Sequence, residues 1–320
     1  MVVALCPHDF EALVHGEDLP KGFWMTDRIV SQKIALATVV SEDFLPGALV
    51  MISSFMARNP WFRGDVIIIH ETLSDDATGV LVDSFPKVIM HPMAEPLRLR
   101  LNAVAEAVPW IGTKRAQFGS LEALSLGAYD RVIVCDSDLL FLDTIGPLFE
   151  RSEPLICCAD GAHLRGSLRK SDDFSEVPSG ADPSGTLART FNSGFMVLGP
   201  GLLNEQNYDA ALSLITRDRW ISDRTGHTDQ MVFNLLFAGQ QCLVSSTYNF
   251  TLLHRASLER VSGTLLDDAK VLHFNGPAKP WLPMATLKQT LKDPAMVFAY
   301  RKWQDGFAQF LARRGIMAAL

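Results

Sequence analysis

The sequence has no run of about 18 consecutive apolar residues, which excludes a membrane-spanning helix of ordinary length. Its N-terminal stretch, MVVALCPHDFEALVHGEDL, has no basic region and carries acids where a secretory signal would be apolar. Basic residues are in deficit, 29 Lys and Arg against 36 Asp and Glu, a formal net charge of −7. No global positive field exists to draw in a polyanion, so nucleic acid is excluded as the main partner. The five cysteines (Cys6, Cys135, Cys157, Cys158 and Cys242) form no zinc spacing, and their odd count fits buried reduced thiols better than a disulfide framework. Repeats, low-complexity tracts and obvious linkers are also missing. These absences lead to the expectation of a cytoplasmic, soluble, single-domain protein that handles any anionic ligand through a local pocket: a metal ion, a few placed Lys or Arg, or helix N-termini.

What is present is a globular chain of 320 residues, 48% hydrophobic and 20% charged. The first 32 residues show no clear period and read as an N-terminal extension. From Lys33 to Val40 a β-rich run leads through a turn at Leu45-Pro46-Gly47 into an apolar helix, ALVMISSFMARN. DVIIIH from Asp65, KVIM from Lys87 and RVIVC from Arg131 predict further buried strands, with an amphipathic helix around Ser120 to Leu126. Strands alternating with helices imply an α/β fold with a mostly parallel sheet. Residues 154–158, 191–198, 241–244 and 270–274 read as additional strands, Thr228 to Ala238 as a helix, and the stretch after Pro294 as a helical tail. Between them, residues 160–190 form a long Gly-, Ser-, Asp- and Pro-rich excursion carrying Arg165, Arg169 and Lys170, either a functional lid or a disordered insertion.

The sharpest feature is YDRVIVCDSDLLFLD, a buried strand running directly into Asp136-Ser137-Asp138. Two carboxylates at i and i+2 where a strand ends can converge on a hard divalent cation such as Mn²⁺ or Mg²⁺. The C-terminal ends of strands in an open α/β sheet are also where ligands bind. An ordinary polar turn is the competing reading of these three residues. Asn192-Ser193-Gly194 precedes a buried run and suits recognition of sugar hydroxyls, or marks a β-bulge. Asp229-Gln230 opens an apolar helix, where Asp229 alone reads as a cap. His273 ends a strand and Lys279 lies in a Gly-Pro loop, each unremarkable when taken singly.

Taken in order, these segments resemble glycosyltransferase family 8, the family of glycogenin and of bacterial lipooligosaccharide galactosyltransferases. The resemblance runs from about Lys33 to Trp281 and rests on IALATVVSEDFLPGALVMISSF, YDRVIVCDSD, FNSGFMVL, DQMVFN and HFNGPAKPW. It implies a single-domain glycosyltransferase A-type fold over residues 33–282, followed by a small C-terminal helical extension over 283–320. It implies a retaining, Mn²⁺-dependent hexosyltransferase (Mg²⁺ possible) that takes its sugar from a UDP-sugar, with UDP-glucose and UDP-galactose the first choices. By the same resemblance Asp136, Asp138 and His273 hold the metal, while Lys279 and the backbone at Gly276 grip the diphosphate. Thr38, Val40, Phe44 and Ser137 line the uracil and ribose pocket, and Asn192, Ser193, Asp229 and Gln230 hold the transferred sugar. Gln230 and Asp229 stand nearest the reacting carbon.

One position departs from the family pattern. Ser120 falls where a Lys or Arg usually reaches the donor, and Lys114 is the first candidate substitute cation. A catalytically weak carbohydrate- or nucleotide-binding protein of the same fold is the alternative that this departure motivates. A sugar nucleotidyltransferase fits less well, because VVSEDFLPGALV contains only one glycine for a phosphate-cradling loop. The acceptor is open: a glycan, lipid, protein or small molecule. After Pro294, Arg301, Lys302, Arg313 and Arg314 interleave with aromatic residues, a pattern read either as a plain packed helix or as peripheral contact with an anionic inner membrane face.

Overall fold

The computed structural model describes residues 32–165, 190–221, 227–283, 288 and 292–315. The expected N-terminal extension, save its last residue, nearly all of the 160–190 excursion, and Cys6 lie outside the described residues. The central sheet contains β1 (Ile34–Val39), β2 (Asp65–His70), β3 (Val88–Pro92), β4 (Arg131–Cys135), β6 (Leu155–Ala159), β7 (Phe191–Leu198) and β8 (Gln241–Val244), in the order β3-β2-β1-β4-β7-β6-β8. All pairings are parallel except those of β7, which runs antiparallel to both β4 and β6. The mostly parallel expectation therefore holds, with one reversed strand next to the centre.

Continuous apolar strands such as IALATV form here because both sheet faces are covered. Successive side chains alternate between two cores: Ala35 and Ala37 join one, Ile34 and Leu36 the other, and Val132/Val134 divide from Ile133/Cys135 in the same way. Helix α1 (Leu45–Arg58) covers the second core, opening on Pro46 in its first turn. Three longer helices have no counterpart in the sequence reading: α2 (Asp75–Ser84), capped by the Ser74 hydroxyl accepting from the Ala77 N–H at 3.2 Å, α3 (Glu95–Ala107), and the helix Glu205–Leu214. The helix expected around Ser120 is instead a 3₁₀ run, Arg115–Ser125, and every residue from Phe118 to Leu124 is buried. It is wedged beneath α4 (Glu205–Leu214) and α5 (Asp229–Leu236), so it has no wet face and amphipathic periodicity is not the right template for it.

A second, three-stranded sheet of β5 (Leu139–Phe141), β9 (Phe250–Thr251) and β10 (Val271–His273) sits beside the first, in the order β5-β10-β9. The chain passes from β4 to β5 through residues 136–138 alone, so the DxD segment is the hinge between the two sheets. Helix α6 (Pro294–Arg313) lies against α1 and buries Ala299, Tyr300, Trp303 and Phe310. Its aromatic residues are taken up by packing except for the exposed Phe298, with Trp281 to Trp303 at 5.8 Å and Trp303 stacked on Phe307 at 5.6 Å. Cys135, Cys157, Cys158 and Cys242 are buried, and among the described residues none of them forms a disulfide.

Candidate active site

An open cleft of about 1120 Å³ lies at the C-terminal ends of β1 and β4 and is lined by Asp136, Ser137, Asp138, Asn192, Ser193, Asp229, Gln230, His273, Gly276 and Lys279, among others. Backbone hydrogen bonds fix its floor: Asp136 N–H donates to Gly194 C=O at 2.8 Å, and Phe274 N–H donates to Asp138 C=O at 3.0 Å. The DxD hinge is thereby attached to β7 at one end and to the strand carrying His273 at the other. Asp136, Asp138 and His273 each bring a ligand atom within 4.8 Å of the others. His273 Nε2 stands 3.3 Å from Asp138 Oδ1 and 3.5 Å from Asp136 Oδ2. Asp138 Oδ1 is buried and has no hydrogen-bond partner. A Cβ on Gly194 would come to 2.4 Å from His273 Cε1 and 2.7 Å from Asp136 Oδ2. An orphaned buried carboxylate oxygen, a second carboxylate and an imidazole nitrogen beside it, and a glycine that leaves them room together fit a divalent cation.

The two carboxyls titrate in opposite directions. Desolvation and the neighbouring Asp138 charge push Asp136 up to about 7. For Asp138 burial acts the same way, but His273 and Lys279 outweigh it and hold the group well below the usual carboxylate range. Lys279 Nζ donates to Asp138 Oδ2 and, at 2.8 Å, to Phe274 C=O, and lies 5.4 Å from the Phe44 ring centroid. Phe44 meets Trp281 edge-on at 5.6 Å, and Trp281 Nε1–H is fastened to Asp43 C=O at 2.9 Å. Gly276 adopts φ 97°, a left-handed backbone that suits glycine.

At the opposite wall Asp229 is buried, and desolvation raises its pKa despite hydrogen bonds from three hydroxyls, those of Ser120, Thr228 and Ser193. The Ser120 bond is 2.9 Å and the Thr228 bond 2.9 Å. Asp229 is thus not a helix cap; Thr228 occupies that position. Asn234 ties α5 to β7 by accepting from Phe191 N–H and donating to Phe191 C=O, each at 2.9 Å, which explains the role of the last residue in DQMVFN. Gln230 Oε1 accepts from Asn192 Nδ2 at 2.9 Å and Gln230 Nε2 donates to Asp160 Oδ2 at 3.3 Å.

Most of the residues expected at the site are brought together, with two shifts. Thr38 and Val40 are each 1% exposed and stand behind the cleft wall, Val40 in the apolar core; Val39 and Ser41 line the cleft instead. The cause is strand alternation, which a one-residue offset inverts. Ser137 does line the cleft, its hydroxyl bonded to Val39 C=O and near Thr38 Oγ1 at 3.3 Å. Lys114 reaches the cleft rim with Nζ 5.4 Å from the Trp110 ring, while Arg115 is drawn away to Glu71 and Asn102. Asp160 and Asn249 were not anticipated. Asp160 carried the same signal as Asp136, a carboxylate ending an apolar strand, but was read as the start of an excursion. Asn249 lies in TYNF, a polar set beside an apolar strand, but that segment alone gives the asparagine no role at the site.

The sheet order, the reversed β7 and an acidic cleft at the strand ends define a glycosyltransferase of the A-type fold. The sequence description Glycosyl transferase family 8 matches residues 35–285, and the chain belongs to that family; it is a hexosyltransferase. It is 26% identical to the lipopolysaccharide glucosyltransferase WaaO of Escherichia coli K12 over 153 residues, 47% of this chain and 44% of that protein. To mouse glycogenin-1 it is 25% identical over 257 residues, 77% of this chain and 65% of that one. The chain thus spans less than two thirds of either relative. The galactosyltransferase LgtC, solved with donor and acceptor sugar analogues, shares the fold with a TM-score of 0.63 at 16% identity, over 86% of this chain and 95% of LgtC.

Proposed function

We propose that this enzyme transfers a hexose from a UDP-sugar, UDP-glucose or UDP-galactose, to a hydroxyl acceptor with retention at the anomeric carbon and dependence on Mn²⁺, with Mg²⁺ as the substitute. The observation that carries this reading is the convergence of Asp136, Asp138 and His273 on one point, with Asp138 Oδ1 orphaned there. The relatives' names, a glucosyltransferase and a galactosyltransferase, support the choice of sugar. Asp136, Asp138 and His273 would hold a divalent ion, which when bound would supply Lewis-acid stabilisation of negative charge on the leaving diphosphate. Lys279, poised between Asp138 and Phe44, adds a second positive charge at the same oxygens, and the Gly276 backbone offers its N–H. Phe44 and Ser137 bound the nucleoside. Asn192, Ser193, Asp229 and Gln230 orient the sugar. Asp229 is committed to three hydroxyls and is not poised as a nucleophile, so the acceptor attacks from the face the leaving group departs. Mass-spectrometric trapping of a glycosyl adduct on Asp229 would overturn that part.

With Ser120 in place of a cation, Lys114 at the rim supplies the missing charge toward the donor. The acceptor is a glycan, lipid, protein or small molecule; none of the four tyrosines lines the cleft, and Tyr208, Tyr248 and Tyr300 are buried, which gives no support to a tyrosine of the same chain as acceptor. None of the described helices is long and apolar enough to cross a membrane. Contact with an anionic inner membrane face would rest on the exposed Arg301, Lys302, Arg313 and Arg314 of α6 and its end. Co-sedimentation with anionic vesicles at low salt, lost at high salt, tests it. The test of the main reading is release of UDP from a panel of UDP-sugars with Mn²⁺, then with EDTA. The Ser120 departure favours one rival, a binding protein with little turnover, and donor binding without UDP release would select it.

A further inference from the structure

Five polar side chains from five different segments form one continuous hydrogen-bond chain beneath the cleft. His273 Nδ1 lies 2.9 Å from Asn249 Oδ1, Asn249 Nδ2 is 2.8 Å from Asn192 Oδ1, Asn192 Nδ2 is 2.9 Å from Gln230 Oε1, and Gln230 Nε2 is 3.3 Å from Asp160 Oδ2. An amide can point either way, so the sense of such a chain must be set from outside it. Two anchors set it here. Gly194 N–H, which can only donate, reaches Asn192 Oδ1 at 3.1 Å. At the far end Asp160 accepts throughout, its Oδ1 taking Thr190 Oγ1–H at 2.6 Å and His163 N–H at 2.8 Å. Both anchors impose one direction: each amide offers its N–H₂ toward Asp160 and its oxygen toward His273.

We infer that Asn249, Asn192 and Asp160 are positioning residues of a one-way amide relay, which keeps the ring proton of His273 on Nδ1 and locks the carboxamide of Gln230 in one orientation. Asn249 Oδ1 faces Nδ1 as an acceptor, so the proton resides there and Nε2 presents a lone pair toward Asp136 and Asp138. Nε2 stands 3.3 Å from Asp138 Oδ1 and 3.5 Å from Asp136 Oδ2. The Nε2 lone pair then faces the same point as the carboxylate oxygens of Asp136 and Asp138, the arrangement a cation completes. The relay links the proposed metal ligand to the proposed sugar-binding pair Asn192 and Gln230, and its two other members, Asn249 and Asp160, do not line the cleft. The inference rests on the metal reading for its purpose, but its hydrogen-bond sense is observable without any metal.

The test uses the full chain with ¹⁵N-histidine, the His273 signals being assigned by their absence in His273→Gln. Long-range ¹H–¹⁵N spectra of the metal-free protein at pH 8 are expected to show His273 with its proton on Nδ1. Asn249→Leu removes the acceptor; the ring proton should shift toward Nε2, and Mn²⁺ affinity, read by electron paramagnetic resonance of the free ion, should fall about 10- to 100-fold. Asn249→Asp keeps an acceptor at Nδ1 and should retain both the tautomer and the affinity within about threefold. It loses only the donation to Asn192, so kcat falls while KM for the donor moves little. A merely structural asparagine would not be rescued selectively in this way. A wild-type proton on Nε2, an unchanged tautomer in Asn249→Leu, or loss of Mn²⁺ in Asn249→Asp as large as in the leucine variant each overturns the relay. If Asn249→Leu does not fold, the wild-type tautomer and the aspartate variant still decide. Failure of the wild type to bind Mn²⁺ would instead strike the metal reading, with the tautomer measured independently.

Discussion

Replacing Gly194 by alanine adds a single methyl group at the most crowded point of the cleft. The new Cβ would lie 2.4 Å from His273 Cε1, 2.7 Å from Asp136 Oδ2 and 2.9 Å from Asn192 Oδ1. Comfortable carbon contacts begin near 3.5 Å, so the imidazole or the strand must yield by about 1 Å. Metal–ligand distances tolerate only about 0.2 Å, so a shift of that size dismantles the site. Gly194 is not among the residues with positive φ, and alanine fits its backbone. Overpacking costs about 1–3 kcal/mol, partly offset by about 0.4–1 kcal/mol from the stiffer unfolded chain. At roughly 2–4 °C per kcal/mol, Tm should fall by less than about 10 °C. The signature is therefore a folded protein whose Mn²⁺ affinity drops at least about tenfold, read by calorimetry beside a thermal melt. Wild-type Mn²⁺ affinity in the alanine variant would refute the assignment of Gly194 as the space-maker for the metal ligands.

Three further outcomes follow from the same geometry. Lys114→Ala should weaken UDP-sugar binding about fivefold, the loss of one charge at a solvent-reachable rim, and an unchanged dissociation constant would show that Ser120's missing cation is not replaced there. Trp303→Ala removes a buried ring that packs on both Trp281 and Phe307, so stability should fall by about 3–5 kcal/mol in urea unfolding, with donor binding weakened through the loosened loop of Lys279; a loss below about 1 kcal/mol would show that α6 does not buttress that loop. Burial raises the folded pKa of Asp229 above its unfolded value, so the folded chain holds that proton to higher pH. The contribution of Asp229 to stability accordingly declines as pH rises from about 4 through its folded pKa. Asp229→Asn should raise Tm at neutral pH and flatten this dependence while abolishing transfer; a lower Tm at pH 7 would contradict it.

How much of this was readable in advance differs between sheet and site. DVIIIH, RVIVC and FNSGFMVL were legible as strands because an apolar run between polar turns has few other uses in a chain of this composition. The ends of those strands were legible too: Asp136, Asp138, Asn192 and His273 are polar residues abutting buried runs, and the structure puts them in one cleft. Asp75–Ser84 and Glu95–Ala107 escaped notice because their buried stripes are thin, two and three residues, and give weak periodicity. Thr38 and Val40 are buried while Val39 and Ser41 line the cleft, an alternation whose phase the local pattern does not fix. Local pattern marks Asp160 as a carboxylate ending an apolar strand and Asn249 as one of a polar set, but it names neither residue's partners. Their function comes from partners 57 and 70 residues away in the chain, and only the folded register of two sheets makes them neighbours.

The central claim is that this cleft holds a nucleotide diphosphate through a divalent ion bound by Asp136, Asp138 and His273. Calorimetric titration of UDP into the wild-type chain with Mn²⁺, then with EDTA, and into Asp138→Asn with Mn²⁺ tests it without knowledge of sugar or acceptor. The account predicts binding in the first case and its loss in the other two. Binding of equal strength in EDTA, or in Asp138→Asn, would contradict it.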